Sequence, residues 1–345
     1  MYYSCDLINM FAFNINGRID TDVKCVALCC EGIEDKPAIP FEGSSEEILE
    51  KFFTMRLGVI EEGKRYLSNE VTDDRKFTLG CVKCANYKLS DWHEAGLINY
   101  VNLSMYPAPC QSKCIYCGVH KGKSGSYTKE KSGHYYERLF NMLDLARQKE
   151  LIAPNATWQI SSGEIAIHPY KDRIFDLVEN QRATFYTNAF IFDEQIAMNL
   201  QTNPYSAINV SIDAGTPNTW LEIKGVDNFE QVAMNLVKYF NSSSRAGQIT
   251  LKYIVLPGIN NTLGDYKSLI EMMKILKVKH LTISRDTSIK YSISSEEAKQ
   301  LIIASAYLLA FLSKNGLSAD MFTYTPSEQE QAIELAKSLI ESGSI

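Results

Sequence analysis

The sequence predicts an α/β chain: a partial (β/α)6 barrel of the TIM type, with a small cysteine-rich domain in front of it. Three observations carry this expectation. From residue 99 onward, short β-like runs alternate with helical apolar patterns, as in a parallel sheet with crossover helices. The β-like runs number six, fewer than the eight repeats of a closed barrel. All nine cysteines lie in the first 117 of 345 residues, so the two ends of the chain differ in composition.

In chain order, Phe11–Ile15 reads as a strand and Glu46–Phe53 as a helix, and cysteines bracket both. Residues 1–98 are therefore expected to form the appended domain. The strands of the barrel, residues 99–290, are expected at Asn99–Met105, Thr157–Ser161, Ala183–Thr187, Ala207–Ile212, Gln248–Leu256 and His280–Ser284. Between them, Tyr136, Leu139, Phe140 and Leu143 follow helical spacing, as do Tyr266, Leu269, Ile270 and Met273. Residues 291–345 read as helices packing on the barrel. Ser294 with Glu297 and Ser327 with Glu330 resemble capping boxes, and Gly316 is a stop for the first helix.

Composition narrows the function. A 45% hydrophobic, 22% charged chain can bury a sizeable core. A net charge of −6 supplies no basic footprint for nucleic acid or an anionic membrane. The longest near-apolar run, Leu301–Leu312, is shorter than the ~20 residues of a membrane span. No export signal opens the chain, so a soluble cytoplasmic protein is expected, with neither nucleic acid nor membrane as partner. In that reducing compartment, clustered thiols mean metal or catalysis more often than disulfides. Gly122-Lys123-Ser124 is not a phosphate loop, because Cys117 stands where the pattern needs glycine, and His93-Glu94 lacks the second histidine of a zinc-protease helix.

Directly after the first barrel strand, Cys110-x3-Cys114-x2-Cys117 places three thiols in eight residues. Thiolates are the ligands of iron–sulfur clusters and zinc. A cube cluster has four irons, so three protein ligands leave one iron open to a small molecule. This spacing, with aromatic Tyr116 before the last cysteine, resembles the signature of the radical S-adenosylmethionine (SAM) superfamily, and the resemblance extends over residues 99–290. It implies a [4Fe–4S] cluster on Cys110, Cys114 and Cys117. It also implies SAM chelated to the open iron and cleaved reductively to methionine and a 5′-deoxyadenosyl radical, which abstracts a substrate hydrogen.

The same resemblance carries over to further positions. Ser161-Ser162-Gly163-Glu164 is similar to the family's Gly-Gly-Glu segment for the SAM amino group, with Ser162 replacing the first glycine. Ser211 and Asp213 fall where the family holds the ribose. Tyr186-Thr187-Asn188 and Leu256–Asn260 fall where it makes further contacts to SAM, and Asn188 is a candidate there. Arg285 and Asp286 close the sixth strand, able to meet substrate or to pair with each other.

Cys81-x2-Cys84 is a metal-binding step of its own. With Cys5 and the pair Cys29 and Cys30 it is similar to the SPASM or twitch domains of the family, which bind an auxiliary [4Fe–4S] cluster. Here the ligands would be Cys5, one of Cys29 or Cys30, Cys81 and Cys84, with Cys25 an alternative to either member of the pair. Structural zinc on the same thiols is the other reading. Trp92 is expected to be core packing. The resemblance implies a peptide or a sugar- or nucleotide-linked small molecule as substrate, and a reducing partner such as flavodoxin or ferredoxin. A non-catalytic electron carrier or a structural zinc protein is the competing class.

Overall fold

The computed structural model describes residues 2–17, 24–28, 38–66, 87–105, 108–117, 129–161, 163–286 and 295–345. The chain divides into two units, Met1–Pro109 with Gly122–Thr184, and Cys110–Lys121 with Phe185–Ile345.

The first unit runs β1 (Tyr2–Cys5), α1 (Asp6–Asn9), β2 (Ala12–Gly17), β3 (Lys24–Ala27), β4 (Ala38–Pro40), α2 (Ser45–Lys64), β5 (Tyr87–Ser90), β6 (Ile98–Ser104), α3 (Lys129–Gln148), β7 (Ile152–Ser161) and α4 (Lys171–Val178). The division between the units falls within β8 (Arg182–Thr187). α2 opens with a reciprocal capping box between Ser44 and Glu47 and buries Ile48, Leu49, Phe52, Val59 and Ile60. Phe13 of β2 meets Phe52 edge-on at 4.7 Å. β6 pairs parallel with β7 on one side and with β2 on the other, over Ala12–Asn16 against Tyr100–Ser104. The stretch expected as a separate domain over 1–98 thus adds a strand to the sheet expected to begin at residue 99. The reason is apolar: Phe13 and Ile15 are wholly buried. Trp92 packs as core, its ring against Gly63.

The second unit continues with α5 (Glu194–Thr202), β9 (Ala207–Ser211), α6 (Pro217–Lys224), α7 (Phe229–Ser242), β10 (Ile249–Val255), α8 (Leu263–Ile275), β11 (His280–Arg285), α9 (Glu296–Lys314), β12 (Ser318–Phe322) and α10 (Pro326–Glu341). β9, β10, β11 and β12 are joined in that order by parallel pairing.

All six expected barrel strands form. Their ends agree to within one residue, except that β7 starts at Ile152 because Pro154 and Asn155 conceal its first half. Beyond residue 290 the expectation of helices alone is corrected: β12 extends the parallel sheet. Its residues are mostly exposed, so no apolar alternation marks it. The caps are corrected too. Ser295 caps α9, and Thr325 with Glu328 forms the box of α10, while Ser294 lies outside the described residues. Gly316 follows α9 at φ +68, as a helix stop requires. Among the described residues, no helix is long and apolar enough to cross a membrane.

Candidate functional site

The three-cysteine loop is fastened by its own backbone. Lys113 N–H donates to the Lys224 carbonyl at 2.8 Å and Ile115 N–H to the Ile223 carbonyl at 3.0 Å, which docks the loop on the last turn of α6. A turn then brings Cys117 N–H to the Cys114 carbonyl at 3.0 Å. The three thiols are half-buried and unbridged. Asn188 Nδ2 lies 3.7 Å from Cys110 Sγ, and Ser112 Oγ, itself buried, 2.7 Å from Cys114 Sγ. Asn188 is held in turn by Gln111 Nε2 at 3.4 Å and by Phe190 N–H at 3.0 Å, both donating to its Oδ1.

Beneath the loop lies a buried polar knot. Asp213 sits at φ +45 just past β9, in the left-handed region that aspartate tolerates better than most residues. Its Oδ2 accepts from Tyr116 Oη and from Lys224 Nζ, each at 2.5 Å, and its Oδ1 accepts from Ile254 N–H at 2.7 Å. Lys224 Nζ also donates to Tyr116 Oη at 2.9 Å. Asp213 is 0% and Lys224 1% exposed. Burial, then the Asp213 charge, holds the Tyr116 phenol well above its ordinary range. Asn260, wholly buried, donates to the Asp213 and Ile254 carbonyls at 2.8 and 2.7 Å and accepts from Leu256 N–H at 2.7 Å. Gly215 lies so close to Asp265 that a side chain would collide with its carbonyl.

The Asp213 carboxylate accepts from three internal donors and has no exposed surface, Ser211 is half-buried at the end of β9, and the Tyr116 hydroxyl is engaged by Asp213 and Lys224. Sequence reading missed Lys224. Its signal was the spacing Trp220, Ile223, Lys224, which puts a cation on the buried stripe of α6.

In the first unit, Gly163 has φ +55, and a Cβ there would come 2.5 Å from the Pro109 carbonyl, so only glycine fits. Glu164 N–H donates to that same carbonyl at 2.9 Å, and the buried Glu164 accepts from Ala166 N–H at 3.2 Å. Ser162 lies outside the described residues. So do Cys29, Cys30, Cys81 and Cys84, while Cys5 is buried on β1 opposite Tyr87 of β5. Arg285 pairs with Glu328 at 3.0 Å.

Among the described residues, no three Cys, His, Asp or Glu side chains converge as a formed metal site. The donor set fits an iron–sulfur cluster nonetheless: three partly exposed thiols in one short loop, with an amide and a hydroxyl beside two of the sulfurs.

The sequence profile described as "Radical SAM superfamily" matches residues 109–283. No curated protein matches the chain. Among solved structures, similarity is found to a radical SAM methyltransferase from Sphaerobacter thermophilus, at 14% identity over 61% of this chain and 62% of that one, TM-score 0.42. It is also found to Streptococcus suis SuiB bound to S-adenosylmethionine, at 15% identity over 80% of this chain and 62% of that one, TM-score 0.45. The match thus spans less than two thirds of each of these structures.

Proposed function

The chain belongs to the radical SAM superfamily, and from that premise we propose that it is an enzyme holding a [4Fe–4S] cluster on Cys110, Cys114 and Cys117, with SAM on the open iron. The observation that carries this reading is the loop itself: three unbridged thiols in eight residues, docked by two backbone hydrogen bonds on α6 and braced from below by Tyr116, Asp213 and Lys224. Bound there, a cluster would supply the one-electron chemistry for reductive cleavage of SAM.

The chain's own residues then have distinct tasks. Asn188 and Ser112 orient Cys110 and Cys114 and supply polar hydrogens toward sulfur, which raises a cluster's reduction potential. Glu164, with the backbone that Gly163 allows, receives the SAM ammonium, since carboxylate and carbonyl oxygens suit a donor of that kind. Ser211 meets the ribose. The substrate is a peptide or a sugar- or nucleotide-linked small molecule, and electrons come from a flavodoxin or ferredoxin in the cytoplasm. An auxiliary cluster on Cys5, Cys29 or Cys30, Cys81 and Cys84 is supported by the β1–β5 register, which sets Cys5 opposite Tyr87, three positions after Cys84 in sequence.

The test is anaerobic reconstitution with iron and sulfide followed by reduction with dithionite. Wild type should release 5′-deoxyadenosine from SAM, and Cys114→Ala should not. Intact clusters without cleavage would refute the catalytic reading. Replacing all three loop cysteines by alanine should leave about four irons per chain, the content of one cube cluster. Iron at background would remove the auxiliary site.

A further inference from the structure

Lys252 occupies the middle of β10. Leu251 and Tyr253 on either side of it are fully buried, so its side chain leaves the opposite face of the sheet. Parallel register sets Ser211 of β9 on one side of it and Thr282 of β11 on the other, with Asp320 of β12 next beyond Thr282. The result is a polar row across four adjacent strands.

Two carboxylates near this row are already committed. Asp320 accepts from Thr282 Oγ1 at 2.9 Å and meets His280 Nε2 at 2.7 Å, and the oxygens of Asp213 are occupied as described above. Among the described residues, the half-buried Lys252 ammonium makes no hydrogen bond or ion pair, and its Nζ lies 6.0 Å from the centre of the Phe322 ring. Burial draws its pKa down, Asp213 partly restores it, and Lys224 opposes it. A cation withdrawn from water without an acceptor is costly, and an incoming anion removes that cost.

We infer that Lys252 binds an anionic group of the substrate, a carboxylate or phosphate, on the polar face of β9, β10 and β11. The inference deepens the radical SAM reading, on which it rests for the fate of the bound molecule. It selects, within the proposed substrate classes, molecules that carry such a group.

The experiment titrates the full reconstituted chain with inorganic phosphate and with succinate by calorimetry, in wild type, K252M and K252R. Wild type should bind at least one probe at a single saturable site. K252M should weaken that binding by about tenfold or more, the scale of one lost charge-assisted contact, and K252R should retain it. Equal binding by wild type and K252M, or no saturable binding of either probe, overturns the assignment. SAM titrated into the same variants separates the two sources of carboxylate: a loss at SAM as large as that at phosphate would place SAM's own carboxylate on Lys252 and overturn the substrate assignment. K252M should unfold at or above the wild-type temperature, because an unpartnered cation is removed, and a fall of more than about 5 °C would make Lys252 structural and overturn its binding role. Failure of the radical reading shows elsewhere, as absence of 5′-deoxyadenosine from wild type while the phosphate titration is unchanged.

Discussion

Arg56 in the first unit and Lys224 in the second are each only 1% exposed, yet the chain accommodates them differently. Arg56 meets backbone carbonyls. It donates to Ile8, Glu94 and His93, the first two at 3.0 and 2.9 Å, with its guanidinium over the Phe11 ring, and burial lowers its pKa to about 10, so it stays charged at neutral pH. Lys224 meets a carboxylate and a phenol. The difference follows from the cations. A delocalised, weakly hydrated guanidinium tolerates partial charges spread over its fork, while a compact ammonium needs a full counter-charge. It also separates two tasks: Arg56 ties three backbone segments together, and Lys224 ties the loop that carries the cysteines to the end of β9.

Removing the counter-charge tests this contrast most severely. Asp213→Asn keeps the shape but leaves Lys224 buried and unpaired, and should cost about 3–5 kcal/mol in denaturant unfolding. A loss below about 1 kcal/mol would mean that carbonyls suffice for lysine too, and the contrast would fail.

His168 shows what becomes of a base given neither remedy. It is 4% exposed, its Nδ1 accepts from Tyr170 N–H, its Nε2 has no hydrogen-bond partner among the described residues, and burial lowers its pKa from 6.5 to about 4. Above pH 6.5 the folded and unfolded chains both hold it neutral, and its stability contribution is intact. As pH falls from 6.5 toward 4 the unfolded chain takes up the proton first, so stability is lost, by about 3 kcal/mol in all. Unfolding curves across that range should slope in wild type and lose most of that slope in His168→Gln.

Arg56→Lys sharpens the contrast from the other side. It keeps the charge but not the fork, and should cost about 2 kcal/mol, whereas an unchanged midpoint would show that fork geometry is irrelevant there. The smallest effect is expected from Tyr116→Phe. Asp213 and Lys224 keep each other, so about 1 kcal/mol is lost, and the iron content of reconstituted protein should match wild type.

Much of the fold was legible because its signals are local. Alternation in residues such as Val101, Leu103, Trp158 and Ile160 marked strands, and the spacing of Cys110, Cys114 and Cys117 marked the three-cysteine loop. β12 escaped because its exposed residues carry no alternation, and the join between β2 and β6 escaped because strand pairing over some 90 residues leaves no local trace. The partners of Asp213 escaped for the same reason. Nothing around position 213 announces that Tyr116, Lys224 and the backbone of Ile254 converge on it.

The sequence by itself determined the periodicities and the thiol spacing, hence the α/β class, the strand positions and the family, since these depend on residues close in the chain. Tertiary structure decided which polar side chains are consumed internally and which are left to act. Asp213 is spent and Lys252 is not, because burial and cross-strand register depend on partners distant in sequence that only folding brings alongside.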